Sequence, residues 1–319
     1  MKHLLLLASM LFWACANAQT YPSRPVKVIV PWPPGQATDI AARMMAQRLQ
    51  ETLGQPFIVD NRPGAGGSLG TEIAARSAAD GYTLLAASSG PMSIMPSLQK
   101  LPYEPLKDFT VVGLLTRNPY ALVVTPSFPA ANAKEFIALL KANPDKYTYA
   151  SSGAGATAHL FAELFNTTAG VKARHIPYKG SAPAMTDVIN GQVNYTIETL
   201  ASVIGHIKSG RVRALGVSTA RRAGAMPELP TLAEAADLAD FDVAAWIGYA
   251  VPSGAPREAI TRLAGEIQKS MQVAEFRERM LNAGLEPASA SLDELPAFLR
   301  REQDRYAAVI KSANIRIEQ

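Results

Sequence analysis

The chain has almost no cysteine, little histidine and few aromatic residues, which make up 7% of its 319 positions. Its one cysteine, Cys15, lies in a stretch that reads as a leader. Met1-Lys2-His3 is a basic start, Leu4 to Trp13 an apolar core, and Ala16-Asn17-Ala18 a cleavage signal before Gln19. That core is too short to cross a bilayer. Cys15 raises a lipidated alternative, which Phe12 disfavours by standing where leucine is usual, three residues before the cysteine. Once residues 1–18 are removed, no cysteine remains. Disulfides and any cysteine-based metal or catalytic centre are thereby excluded. His159, His175 and His206 are the histidines left, and their spacing fits no metal site. No later stretch is long and apolar enough to span a membrane.

Charge is also sparse, at 18% of residues, with a net +4 at pH 7 that drops by one without Lys2. The basic residues are scattered, Arg221-Arg222 and Arg300-Arg301 being the densest pairs. No basic face or aromatic platform forms, so nucleic acid is not an expected partner. The sequence holds no G-x-S-x-G elbow, no Walker A lysine and no H-E-x-x-H. Gly64 to Gly70 follows a strand and precedes a helix, yet its spacing is G-x-G-x-x-x-G, not the dinucleotide G-x-G-x-x-G. The expectation is a protein without catalytic residues, metal or cofactor.

What is present is apolar content, at 48%, enough for two ordinary cores. The chain is organised around Val26 to Asp39. Val26–Val30 is a short apolar strand that Pro31 to Gln36 cannot continue. Thr38 or Asp39 then caps a helix whose stripe is Ile40, Met44, Met45, Leu49 and Leu53. In an open α/β sheet, the loop leaving such a strand is where ligands bind, and the helix aims its positive end there. Similar units follow. The strands are read at Phe57–Asp60, Tyr82–Ala87, Tyr147–Ala150, Ala173–Ile176, Val193–Ile197 and Arg213–Val217, with Val111–Leu115 and Ala121–Val124 as two separate extended runs. Helices are read at 69–78, 133–142, 157–169, 183–190 and 200–208. This repetition argues for a parallel sheet covered on both faces. Val243–Val251 is extended, and the helical end, 256–272, 276–283 and 292–313, returns to the N-terminal sheet. Two lobes follow, 19–120 with 221–319 and 121–220, crossed near Tyr120–Thr125 and Val217–Arg221. The cleft between them is the expected site.

Ser88, Ser89, Ser152, Thr157, Tyr178 and Glu198 sit at carboxyl ends of strands and are the candidates read from the residues. Thr157 also serves as a helix cap, Asp39 reads primarily as one, and Trp32 and Trp246 read as packing residues. A carboxylate such as Glu198 opposes a purely anionic ligand, so if it reaches the ligand it meets an amino, amide or hydroxyl donor.

Beyond these readings, the chain resembles the substrate-binding proteins of tripartite tricarboxylate transporters, the Bug receptors. The motifs that carry the resemblance are Val30-Pro31-Trp32-Pro33-Pro34-Gly35, Asn61-Arg62-Pro63-Gly64-Ala65-Gly66-Gly67, Asp80-Gly81-Tyr82-Thr83-Leu84, Tyr149-Ala150-Ser151-Ser152-Gly153, Pro177-Tyr178-Lys179-Gly180 and Gly191-Gln192-Val193. The resemblance implies an α/β, type II periplasmic binding protein-like fold of two doubly wound lobes joined by two crossover segments. It implies a periplasmic, monomeric receptor that passes a small organic acid or amino-acid-like ligand to integral-membrane transporter subunits. A periplasmic sensor, or a receptor for a neutral amide, is the alternative. The implied carboxylate grip is by backbone and small hydroxyls of Pro34, Gly35, Gln36, Thr38 and Asp39 and of the facing Ser152, Gly153 and Ala154. His159 joins the candidates on the same ground. Gln36 stands where the family usually has a second glycine.

Overall fold

A computed structural model describes residues 21–238, 241–312 and 315. The leader and its expected cleavage before Gln19 lie outside the described residues. The elements are β1 Val26–Val30, α1 Ala37–Leu53, β2 Phe57–Asn61, α2 Ser68–Ala75, β3 Thr83–Ser88, α3 Pro105–Asp108, β4 Phe109–Val124, α4 Ala133–Ala142, β5 Thr148–Ser151, α5 Thr157–Ala169, β6 Arg174–Pro177, α6 Ser181–Ile189, β7 Tyr195–Thr199, α7 Leu200–Lys208, β8 Arg213–Val217, α8 Leu232–Ala236, β9 Ala244–Pro252, α9 Arg257–Gln272, α10 Ala274–Asn282 and α11 Leu295–Ser312.

The strands form one curled sheet in the order β2-β1-β3-β9-β4-β7-β5-β6, with β8 on the other edge of β4. The outer strands pair in parallel, as the repeated units suggest. The centre does not. β9 runs antiparallel to both β3 and β4, and β4 antiparallel to β7 and β8. The expectation of a parallel sheet therefore fails in the middle. It fails because the chain returns from the second half to complete the first.

β4 is the organising strand. Its first part, Phe109 to Pro119, pairs with β9, and its last part, Tyr120 to Val124, pairs with β7 and β8. The sequence suggests two runs here because Arg117-Asn118-Pro119 interrupts the apolar pattern. One strand of sixteen residues forms instead. Proline lacks an N–H, so a strand tolerates it only where no ladder bond is needed. Pro119 sits where the sheet exchanges β9 for β7 and β8 as neighbours. Before that point, the free edge of β4 is covered by residues 286–288: Arg117 N–H donates to the Glu286 carbonyl, Ala288 N–H donates to the Leu115 carbonyl, and Thr116 bridges Pro287.

The second crossing lies between Val217 and Ala244. Ser218 ties the two crossings together. Its N–H donates to the Tyr120 carbonyl at 2.8 Å, its Oγ accepts from Tyr120 N–H at 2.9 Å, and Oγ donates to the Val243 carbonyl at 2.6 Å. Each half of the sheet is covered on both faces by its own apolar clusters. The fold is thus two doubly wound lobes joined by two crossovers. α11 spans both, with Leu295, Phe298 and Leu299 in a first-lobe cluster and Tyr306 and Ile310 in a second-lobe one.

β4 and β9 approach closely at Gly248, where an added Cβ would lie 2.4 Å from the Gly113 carbonyl oxygen. That neighbour is strand backbone and cannot move alone. Gly248→Ala is expected to cost about 2 kcal/mol or more by overpacking. Urea unfolding checks it: the midpoint falls, and an unchanged midpoint would contradict the close approach.

Candidate functional site

Four helices begin at the cleft between the lobes: α1 from the first lobe and α5, α6 and α7 from the second. Their N-cap residues are Gln36, Ala156, Gly180 and Thr199, and none of the four makes a side-chain capping bond. The first N–H groups of a helix have no partner within it. Here they are left for whatever occupies the cleft. The chain thus turns the positive ends of four helix dipoles on one place, an arrangement that favours an anion.

The cavity they enclose is lined by Trp32, Gln36, Ala37, Thr38, Ser88 and Ser89 of the first lobe and by Ser152, Thr157, Ser181, Glu198 and Thr199 of the second, among others. It is narrow, with a volume of about 30 Å³. A wider mouth of about 420 Å³ lies outside it, lined by Trp32, Pro33, the Pro63–Gly67 turn, Ser152 to Ala154 and Tyr178 to Gly180.

The lobes touch directly. Gln36 Nε2 donates to Ser181 Oγ at 2.9 Å, and Ser181 Oγ donates to Glu198 Oε2 at 2.7 Å. A Cβ on Gly180 would meet Pro33 Cγ at 2.9 Å. Ala156, ahead of α5, is wholly buried in the first-lobe cluster that contains Trp32 and Ala37.

Of the residues read as candidates, Gln36, Thr38, Ser88, Ser89, Ser152, Thr157 and Glu198 line the inner cavity. Gly153, Ala154 and Tyr178 line the mouth instead. The Tyr178 hydroxyl is engaged by Asp187 Oδ2 at 2.5 Å; partial burial and that carboxylate push its pKa up to about 12. Pro34, Gly35, Asp39 and His159 line neither space.

Asp39 is turned to local work. It is not the N-cap, since α1 begins at Ala37 and Gln36 holds the cap position. From the first turn it reaches back to the Gly35 N–H at 2.9 Å and accepts from Asn61 and Arg43. Burial alone would raise its pKa, but the bonds from Arg43, Gly35 and Asn61 hold it below the usual carboxylate value. Thr157 is likewise the first residue of α5 and not its cap, which leaves its hydroxyl at the cavity, against Tyr120. His159 lies behind the loop. Its Nδ1 accepts the Gly155 N–H at 3.1 Å, and its ring stacks on His175 with centroids 4.0 Å apart.

Both tryptophans line the cavity while packing. Trp32 Nε1 donates to Ser88 Oγ at 2.9 Å, and Trp246 meets Phe298 edge-on. The sequence reading also misses Asn118, Tyr120, Ser181, Thr199 and Ser202. Asn118 and Tyr120 come from the crossing strand. Ser181 opens α6, two residues before the Pro183 taken as that helix's start; the Gly180-Ser181 pair was a signal for the earlier boundary.

The tripartite tricarboxylate transporter family receptor profile matches residues 41–315. The chain belongs to that family. It is a solute-binding receptor and not an enzyme. It is 38% identical over 310 residues to protein BugT of Bordetella pertussis, covering 96% of this chain and 94% of that protein. Two solved structures from Rhodopseudomonas palustris are similar. One is Rpa4515 with adipate, at 34% identity and TM-score 0.90, covering 93% of this chain and 99% of that one. The other is MatC with bound malate, at 30% identity and TM-score 0.84, covering 91% and 100%.

Proposed function

We propose that this receptor works in the periplasm, closes its two lobes on a small carboxylate-containing metabolite, and delivers it to tripartite tricarboxylate-type membrane subunits. The observation that carries the reading is the convergence of four uncapped helix N-termini on a cavity lined by small hydroxyls. Such a site can hold a carboxylate by backbone N–H groups and serine or threonine hydroxyls without an arginine. The similar structures with adipate and malate support the ligand class.

The moving bodies in this reading are lobe 1, 19–120 with 221–319, and lobe 2, 121–220. The boundary is adjusted so that residues 221–236 and the end of α11 travel with lobe 2, whose clusters they enter. Closure brings Gln36 onto Ser181 and traps the ligand. The protein acts as a monomer.

The test is a thermal-shift screen of mature protein that has been unfolded and refolded to remove any bound ligand. The panel holds mono-, di- and tricarboxylates, neutral amides and sugars. A ligand at a hundred times its Kd adds about 2.7 kcal/mol, a rise of several degrees in Tm. Shifts are expected among the carboxylates. Shifts from neutral compounds alone would contradict the reading.

A further inference from the structure

Away from the solute cavity, α11 buries a carboxylate that nothing satisfies. Glu302 is 6% exposed. Its Oε2 is buried without a hydrogen-bond partner. Its Oε1 lies 3.8 Å from Arg117 Nη2 and 3.8 Å from Arg305 Nη1. Charge-assisted N–H···O bonds close at about 2.7–2.9 Å, so both arginines stand off by roughly 1 Å. A charge kept from water and short of its partners is a costly thing to bury. Burial pushes the Glu302 pKa up, and the nearby Arg117, Arg305 and Arg301 counter the rise only in part.

This group sits at the hinge. On α11 it lies between Leu299, in a first-lobe cluster, and Tyr306, in a second-lobe one. The same stretch of α11 is tied to its surroundings on both sides. Gln303 Nε2 donates to the Met92 carbonyl of the first lobe at 2.8 Å. Arg305 donates to the Asp242 carbonyl in the second crossing, and the Tyr306 hydroxyl donates to the Ala244 carbonyl at 2.8 Å. Arg117 comes from β4, two residues before Pro119, and forms no other ion pair among the described residues. The carboxylate and its two arginines thus stand on β4 and α11, which both pass from lobe to lobe, and Arg305 is tied to the second crossing.

They also stand on the side away from the solute. Arg117 and Asn118 are consecutive in β4, so their side chains leave opposite faces of the sheet. Asn118 lines the cavity, and Arg117 turns to α11. Closing a cleft in front of a hinge widens the space behind it, and opening the cleft narrows that space.

We propose that Glu302 is a hinge spring: lobe closure draws it off Arg117 and Arg305, opening returns it to them, and the empty receptor is thereby biased towards the open form. This rests on the lobe closure proposed above and adds what opposes it. A solute that binds the closed form works against this bias, which lowers its apparent affinity.

The experiment needs no ligand. Protein produced without residues 1–18, unfolded and refolded, carries spin labels on cysteines replacing the exposed Arg62 and Ala182, one on each lobe. Pulsed dipolar spectroscopy gives the open and closed fractions. Glu302→Gln removes the charge at nearly the same shape, and Glu302→Met removes the polar atoms as well. Each is expected to raise the ratio of closed to open at least tenfold. Arg117→Met is expected to act in the same direction, by taking the partner from the open form. Adding it to Glu302→Met is expected to shift the ratio no further, since the two residues act as one pair. Circular dichroism confirms folding, and thermal unfolding separates a merely structural role. A raised Tm with an unchanged distance distribution would mean that Glu302 is unsatisfied in both forms alike, and the proposal is overturned. If the labelled parent is open and every variant stays equally open, the proposal falls and lobe closure stands. If the parent without ligand already gives the closed distance alone, the opening itself fails and the proposal fails with it.

Discussion

Gly180→Ala is expected to weaken solute binding by about ten- to a hundredfold, through a clash that exists only between closed lobes. Gly180 precedes α6 on the second lobe, and Pro33 lies in the loop between β1 and α1 on the first. The added Cβ would sit 2.9 Å from Pro33 Cγ, closer than real Cβ contacts come. In the proposed opening of the lobes the two residues would separate and the clash would disappear. Gly180 also has a φ of 118°, which disfavours any other residue. That strain costs of order 1–3 kcal/mol of stability whether or not the lobes close. The two effects separate in a second variant. Pro33→Ala removes the Cγ atom, leaving Pro33 Cβ at an ordinary 3.6 Å. In the Gly180→Ala background it is expected to restore affinity while leaving the lowered Tm. Titration calorimetry and thermal unfolding of both variants check this. Affinity that stays low in the double variant would place the effect in the backbone and not in the closed interface.

Acid is expected to destabilise the second lobe through its histidine stack, in a window above the titration of ordinary carboxylates. His159 and His175 lie face to face, 5° from parallel, with the Tyr149 ring 4.8 Å from His175. His175 Nε2 pairs with Ser151 Oγ at 2.6 Å, and Tyr149 is hydrogen-bonded to Glu163. Burial lowers the His159 pKa to about 4, and burial with the neighbouring ring lowers that of His175 to about 3. Protonation would also take from His159 Nδ1 the lone pair that accepts the Gly155 N–H. A base whose pKa is depressed on folding adds stability that is complete above its unfolded value, about 6.5, and is lost as pH falls through the folded value. For His159 alone the loss is about 2 kcal/mol by pH 5 and approaches about 3 kcal/mol below pH 4. Glu198 acts in the opposite sense, since its raised pKa favours the fold as pH falls. The difference between wild type and His159→Gln isolates the histidine. Wild type is expected to lose more Tm than the variant between pH 7 and pH 5. Equal losses would show that the stack is not held neutral.

Much of the scaffold was legible because it is local. The runs 157–169 and 200–208 carry a helical apolar stripe with glycine stops, and the structure has α5 and α7 at those bounds. Arg213–Val217 is a strand as read. From the residues alone the site was legible where it follows from a strand end, and the resemblance added Gln36 and Thr38. Ser88, Ser89, Ser152, Thr157 and Glu198 all sit at such ends and all reach the cavity. The misses are non-local. Asn118 and Tyr120 enter because β4 continues through Pro119, and a local pattern cannot show that a proline lies at a change of neighbours. Asn118 is held by Thr116 and by Glu286, the latter 168 residues away. The antiparallel insertion of β9 between β3 and β4 is a pairing of distant segments, and no periodicity encodes it. Asp39 and His159 are candidates through the family resemblance, and the structure shows their side chains accepting the Gly35 and Gly155 N–H groups of the adjoining loops.

The central claim, that the lobes close on the ligand, is tested most directly by a distance across the mouth. Cys15 is the sole cysteine in the sequence, so in protein produced without residues 1–18 a cysteine pair introduced at the exposed positions Arg62 and Ala182 can be spin-labelled without background. Pulsed dipolar spectroscopy would then compare refolded protein alone with protein saturated by the carboxylate found in the screen. The account predicts a long, broad distribution that collapses to a single short distance on binding. The same distribution with and without bound ligand would contradict it.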